Sequence, residues 1–238
     1  MKLLAFETST EACSAALFVD GVKTSVFEHC PQQQAQRILP MIDQLLVAAK
    51  IKASELDVIA FGAGPGSFTG IRIAVGVAQG IACAFNIPLL PISTLKIMAE
   101  TAYLQNTAQY SARHSISLLT ALDARMQEIY WAGWQWQEND WVAVINETVA
   151  LPEQVVLPNA QSGAWLAVGN AWSIYPSLTL RANSLVSMIS VDTQTLWPQA
   201  EALLNLALAD FAAGKALPVQ AALPTYLRNN VASPPKAL

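Results

Sequence analysis

The stretch Gly62-Ala63-Gly64-Pro65-Gly66-Ser67-Phe68-Thr69-Gly70-Ile71-Arg72, with the small apolar run of residues 73–85 behind it, decides how the rest of the chain is read. A β-rich run (residues 57–61) enters a glycine-rich turn, and a helical pattern starts near Phe68. Such a turn aims several backbone N–H groups and a helix N-terminus at one point, which suits an anion. No Lys-Ser or Lys-Thr follows the last glycine and Gly-x-Gly-x-x-Gly spacing is absent, so the stretch is neither a Walker A loop nor a dinucleotide fingerprint. The same residues also make a tight structural turn, in which glycine supplies backbone freedom and close approach. Behind the turn, Ile73, Val77, Gly80 and Ala84 share one helical face, and Gly76 and Gly80 lie four apart. Glycine in a helix interior costs about 1 kcal/mol relative to alanine. Two of them in one helix predict a neighbour packed close to its backbone.

Working outward, residues 2–7, 13–19 and 22–28 are β-rich, and Asp20-Gly21 is a two-residue hairpin signal. Residues 33–50 place Ile38, Met41, Ile42, Leu45, Leu46 and Ala49 on one helical stripe. Pro40 inside that pattern predicts a late start or a kink. After the central turn and helix come a short strand (88–92) and a helix (about 95–103) capped by Ser93 or Thr94. The order β-β-β-α-β-α-β-α predicts a mixed sheet with helices on its faces, similar to one lobe of the actin-like ATPase and sugar-kinase architecture. Residues 105–114 lack periodicity, which divides the chain into lobes of residues 1–106 and 107–238. In the second lobe, strands are expected at 115–122, 127–137, 141–150 and 164–168, with a turn at 169–172 and a short helix or turn at 152–157. A helix at 196–213 ends at Gly214 and is expected to pack back toward the first lobe; a proline-punctuated tail follows. Trp131, Trp134, Trp136 and Trp141 crowd one region, and without neighbouring Lys or Arg they read as core and edge packing.

Composition narrows the function classes. The chain has 238 residues, 13% charged and 53% hydrophobic, with a net charge of −4. Low charge without a long apolar span predicts apolar surface hidden against a partner. The negative balance argues against this chain gripping nucleic acid alone. Residues 73–85 are interrupted by Gln79 and too short to cross a bilayer. Cys13, Cys30 and Cys83 are widely spaced and read as reduced, which together with the absence of a signal peptide predicts a cytoplasmic protein with no membrane contact.

Catalytic constellations are sparse. His29 and His114 have no metal-type companions, and His29-Cys30, adjacent on a strand, point apart. Ser67 misses Gly-x-Ser-x-Gly because Thr69 fills the second glycine position, leaving helix capping as its role. Glu7, Asp123, Glu128 and Asn170 are the polar residues at strand ends; magnesium-nucleotide chemistry would want carboxylates there. No catalytic residue and no metal site is expected.

Four stretches in this order and spacing carry a family resemblance: Leu4-Ala5-Phe6-Glu7-Thr8-Ser9, Gly64 through Arg72, Asp123-Ala124-Arg125 with Glu128-Ile129-Tyr130, and Pro224-Thr225-Tyr226-Leu227-Arg228. The chain resembles the TsaB (YeaZ) family over nearly its whole length. The resemblance implies an α/β, two-lobed actin-like ATPase fold (ASKHA, ribonuclease H-like) with mixed sheets. It implies a required non-catalytic subunit that activates TsaD and works with TsaE in forming the threonylcarbamoyl group on the adenosine beside the anticodon of tRNAs reading codons that begin with A. ATP and magnesium would be used by the complex, with no cofactor of this chain's own, and tRNA would be met only through the complex. Pairing through the first-lobe helices, as a heterodimer or as a homodimer when alone, would use Ile38, Met41, Ile42, Leu45, Ile73, Gly76, Val77, Gly80 and Ala84. Glu7, Thr8, Ser9, Gly66 and Ser67 are the candidate nucleotide or anion contacts. Alternatives are an independent ATPase or kinase of the same fold, or a peptidase. Against family habit, Glu7 stands where an aspartate is usual, and Gly169-Asn170-Ala171 lacks the acidic residue.

Overall fold

A computed structural model describes residues 1–106, 116–158, 165–183, 189–191 and 196–228. Three hairpin-linked strands open the chain: β1 (Lys2–Glu7), β2 (Ala12–Val19) and β3 (Val22–His29). Asp20 and Gly21, both with positive φ, make the β2–β3 turn. Helix α1 (Gln34–Ala49) leads to β4 (Val58–Gly64), α2 (Phe68–Phe85), β5 (Leu89–Ser93) and α3 (Thr94–Gln105). The first sheet runs β3-β2-β1-β4-β5, antiparallel on the hairpin side and parallel from β1 through β5. Alternation along β1 sorts its side chains: Leu4 and Phe6 join the core under α1 and α2, while Leu3 and Ala5 join the core on the other face.

The second sheet contains β6 (Ser117–Asp123), β7 (Ile129–Gln137), β8 (Asp140–Ala150), β9 (Trp165–Val168) and β10 (Ile189–Val191), in the order β10-β9-β6-β7-β8. Two short helices, α4 (Ala171–Ile174) and α5 (Pro176–Asn183), follow β9, and Trp172, Leu178 and Ala182 close a core against Leu119, Ala121 and Trp131. Helix α6 (Ala200–Ala212) sends Leu203, Leu204 and Ala207 into a central core with α3 and the facing sides of both sheets.

Several details differ from the sequence expectation. α1 starts at Gln34, well before Pro40, and carries the proline inside the helix. Pro40 and Gln36 are exposed, so the carbonyl that loses its N–H partner can be hydrated. Of the helix or turn expected at 152–157, the structure has a turn at residues 152–154. α4, α5 and β10 were not expected; at three to eight residues they are too short to display a period. The expected lobe boundary falls largely on residues 107–115, which lie outside the described residues, as do His114 and the tail beyond Arg228.

By length and composition alone, α2 could cross a membrane, at 18 residues and a mean hydropathy of 1.5. One edge of it (Ile71, Ala74, Val75, Ala78, Ala82) packs instead on the first sheet.

Candidate functional site

The glycine turn is built around the end of β1. Thr8 Oγ1 donates to the Gly70 carbonyl at 2.8 Å, and the Ser67 N–H donates to the Ser9 carbonyl at 2.7 Å. Glycine is required where these segments meet: a Cβ on Gly70 would lie 2.2 Å from the Thr8 carbonyl oxygen, and one on Gly66 2.5 Å from that of Ser9. Ser67 caps α2 by accepting from the Gly70 N–H at 3.4 Å. The turn therefore spends one of its N–H groups on β1 and serves to launch a helix.

Glu7 lies beneath this turn. It is 1% exposed, accepts from the Ser9 N–H and from Thr94 Oγ1 at 3.5 Å, and lies alongside Gly62. A Cβ on Gly62 would come within 1.7 Å of the Glu7 carboxylate, so the missing side chain is the space that accommodates glutamate. Burial raises the Glu7 carboxyl above its ordinary value, against the pull of the Ser9 and Thr94 hydrogen bonds. Two expected nucleotide contacts are corrected here: Glu7 and Thr8 are both buried and neither lines the cleft, whereas Ser9, Gly66 and Ser67 do.

That cleft, about 980 Å³, lies between Ser9–Glu11 and Gly66–Ile73 on one side and Asp123–Met126 and Asn170 on the other, with Thr225–Arg228 along its edge. Asp123 accepts from Tyr175 Oη at 2.8 Å and lies 3.2 Å from the Arg125 guanidinium. Loss of solvent, with Asp123 beside it, pushes the Tyr175 phenol up to about 12. Asn170, in the position that lacks a carboxylate, uses its side-chain oxygen to accept the Asp123 N–H at 2.9 Å. A magnesium nucleotide does not fit this donor set: Glu7 is sealed off, Asp123 is committed, and Asn170 brings no charge. Among the described residues no group of three or more His, Cys, Asp or Glu is placed to hold a metal.

At the tip of the β6–β7 hairpin, Arg125, Met126 and Gln127 all have positive φ (62°, 54° and 63°). For non-glycine residues this hand costs roughly 1–2 kcal/mol each. Arg228 braces the tip by pairing with Glu128, donating to the Arg125 carbonyl at 3.3 Å and touching Met126 Sδ. The tail itself is held where the Thr225 N–H donates to the Ala63 carbonyl at 2.8 Å.

A second surface lies on the outer faces of α1 and α2. Ile38, Met41, Ile42 and Leu45, expected to face a partner, are at most 5% exposed and pack into the core beneath the first sheet; this corrects their assignment. An amphipathic helix turns its richest stripe toward its own core. Among the residues α1 leaves outside are Leu39, Asp43 and Val47, with Leu39 53% and Val47 68% exposed. On α2, Gly76, Gly80 and Ala84 are exposed and Ile73 and Val77 partly so. A Cβ on Gly76 or Gly80 would meet nothing within 4 Å, so no group of this chain accounts for either glycine.

The chain is 42% identical to the tRNA threonylcarbamoyladenosine biosynthesis protein TsaB of Escherichia coli K12, over 98% of this chain and 96% of that protein. It belongs to the TsaB family. The TsaB of Haemophilus influenzae is 35% identical over 97% of this chain and 95% of its own. The structure of YeaZ from Pseudomonas aeruginosa superimposes with a TM-score of 0.81 at 39% identity, covering 95% of this chain and 99% of that one. The family model for TsaD, tRNA N6-adenosine threonylcarbamoyltransferase, matches residues 26–236. The TsaB architecture here is α/β with two five-stranded mixed sheets. As a TsaB family member, the chain belongs to the biosynthesis of threonylcarbamoyladenosine in tRNA.

Sequence reading missed the cleft residues Phe68, Arg72, Arg125, Tyr226 and Arg228 as a group. Each sits in a quoted motif, but nothing in the spacing tells that residues over 150 positions apart share one rim.

Proposed function

We propose that this chain is the non-catalytic subunit that docks a TsaD-type transferase and supports transfer of the threonylcarbamoyl group to the adenosine beside the anticodon of tRNAs reading codons that begin with A. The observation that carries the reading is the outer face of α2. Two glycines stand on an exposed apolar helix with open space where their side chains would be. They weaken the helix for no purpose inside the chain, and they let a second helix approach closely. On α1, which contacts α2, the exposed Leu39 and Val47 supply further apolar surface. An interface of ordinary size buries about 800 Å² per partner. When alone, the chain closes the same face against a second copy of itself. ATP and magnesium act in the complex, with TsaE, and the work takes place in the cytoplasm.

The test is co-purification with a TsaD-type transferase and a reconstituted tRNA modification assay. Gly80→Leu and Val47→Glu are expected to fold, to lose the transferase by at least roughly tenfold in affinity (about 1.4 kcal/mol), and to lose modification in parallel. Unchanged transferase affinity in both folded variants would show that this face is not the docking surface.

A further inference from the structure

The cleft is lined by three of the chain's six arginines (Arg72, Arg125 and Arg228) against two carboxylates, Glu11 and Asp123. It is close to charge-balanced in a molecule of net charge −4, because Arg228 is paired with Glu128 and Arg125 with Asp123 and Glu11, which leaves Arg72 as the cation without an acidic partner among the described residues. Arg228 is committed to bracing the hairpin. Arg72 is available, and Arg125 is ion-paired but largely exposed. Arg72 has no carboxylate within ion-pair distance among the described residues; its guanidinium lies 3.3 Å from the centre of the Phe68 ring and 5.7 Å from that of Tyr226. Arg125 is 77% exposed, and its contacts with Asp123 at 3.2 Å and Glu11 at 3.5 Å leave most of its surface in water.

The two rings beside Arg72 are the second observation. Phe68 and Tyr226 stand 6.1 Å apart, 48% and 43% exposed. Neither sits on a flexible stalk. Phe68 follows the capping Ser67 as the first residue of α2, and Tyr226 follows Thr225, which is bonded to β4. Exposed rings on rigid backbone with guanidinium groups beside them form a stacking platform for nucleobases and a seat for phosphates.

We propose that this rim docks a single-stranded segment of the tRNA substrate, with a base stacked on Phe68 and Tyr226 and backbone phosphates on Arg72 and Arg125. The proposal rests on the tRNA-modification reading above and adds direct RNA contact by this subunit. It revises the inference from net charge, which averages over the whole molecule and does not register a single guanidinium set beside two exposed rings. An acidic peptide would satisfy the arginines but offer no π-face to the rings. Free ATP with magnesium would need carboxylates on the cleft floor, where Glu7 is sealed off.

The probe is a fluorescein-labelled single-stranded RNA of about seven nucleotides, a length within the usual site size, followed by anisotropy with the full chain. Two phosphate contacts give an expected slope of log K against log salt near −1.4, at about −0.7 for each phosphate of a single strand. Arg72→Gln is expected to weaken binding about tenfold and to reduce the slope by about 0.7. Tyr226→Leu should weaken it about tenfold with the slope unchanged. Lys52→Gln, remote from the cleft, should leave both as they are, and circular dichroism confirms that each variant is folded. Absence of RNA binding by the natural chain, equal binding by Arg72→Gln and Tyr226→Leu, or preferential binding of ATP or polyglutamate would overturn the proposal. Transferase co-purification on the same samples separates the two readings: RNA binding lost with the transferase retained refutes only the docking site, and a natural chain that captures no transferase refutes the subunit role.

Discussion

Gly62→Ala is a one-methyl perturbation whose cost can be worked from the structure. The added Cβ would lie 1.7 Å from Glu7 Oε2 and 2.5 Å from its Cδ, far inside contact distance. The carboxylate cannot swing into water, because Glu7 is 1% exposed. It must leave the Ser9 N–H and Thr94 hydroxyl or push β1 away from β4. Overpacking costs about 1–3 kcal/mol, and a buried polar group deprived of its partners costs a similar amount. Together the expected destabilisation is about 3–5 kcal/mol. For a chain of this length that is a fall in melting midpoint of roughly 6–20 °C. Glu7→Asp in the same background retracts the carboxylate by one methylene and should recover at least ~2 kcal/mol, a coupling that a double-mutant cycle isolates. Thermal melts of the four proteins by circular dichroism provide the cycle. If Gly62→Ala melts within about 1 °C of the natural chain, or Glu7→Asp gives no rescue, the account of Gly62 as the space for Glu7 is wrong.

Three further outcomes follow from the same contacts. Burial raises the Glu7 carboxyl above 4.5, so just above that pH the folded chain holds a proton that the unfolded chain has released. Its contribution to stability then falls as pH rises through the window up to the raised folded value; Glu7→Gln should remove that slope, and urea midpoints of the two chains that run parallel from pH 4.5 upward would refute it. Ser93 caps α3 by accepting from the Lys96 N–H at 3.3 Å and donates to the Glu147 carboxylate, so Ser93→Ala should cost about 1.5–3 kcal/mol. A urea midpoint unchanged by that substitution would remove both roles. Gly76→Ala and Gly80→Ala meet nothing within the chain, so at concentrations too low for self-association each should stabilise the monomer by up to ~1 kcal/mol; destabilisation of the monomer by either would mean that the outer face of α2 is packed within the chain itself.

Much of the fold was legible because its main signals are local. The Asp20-Gly21 turn, the Ser93 cap and the apolar period of residues 34–49 each declare themselves within one element. The direction of a stripe is not local. Ile38, Met41, Ile42 and Leu45 have the pattern of an interface and of a core alike, and only the sheet above them assigns them to the core. The outer glycines of α2 were read as needing a neighbour packed close, since no helix gains from glycine; that no group of this chain is that neighbour required coordinates. Glu7 looked like a degraded ligand until Gly62, 55 positions away, supplied the space for it. The cleft rim was illegible for the same reason, since Phe68 and Tyr226 meet only after the tail has crossed to β4.

The hairpin tip at Arg125–Gln127 gives the tail a further significance. Three successive L-residues of opposite backbone hand form a short mirror-image segment, and free hairpins of this length would ordinarily prefer the other hand. Arg228 is what the tail adds there, through Glu128, the Arg125 carbonyl and Met126. The last turn of the described chain thus sets the handedness of a loop formed a hundred residues earlier. The brace is available only once Arg228 has been made, 103 residues after Arg125.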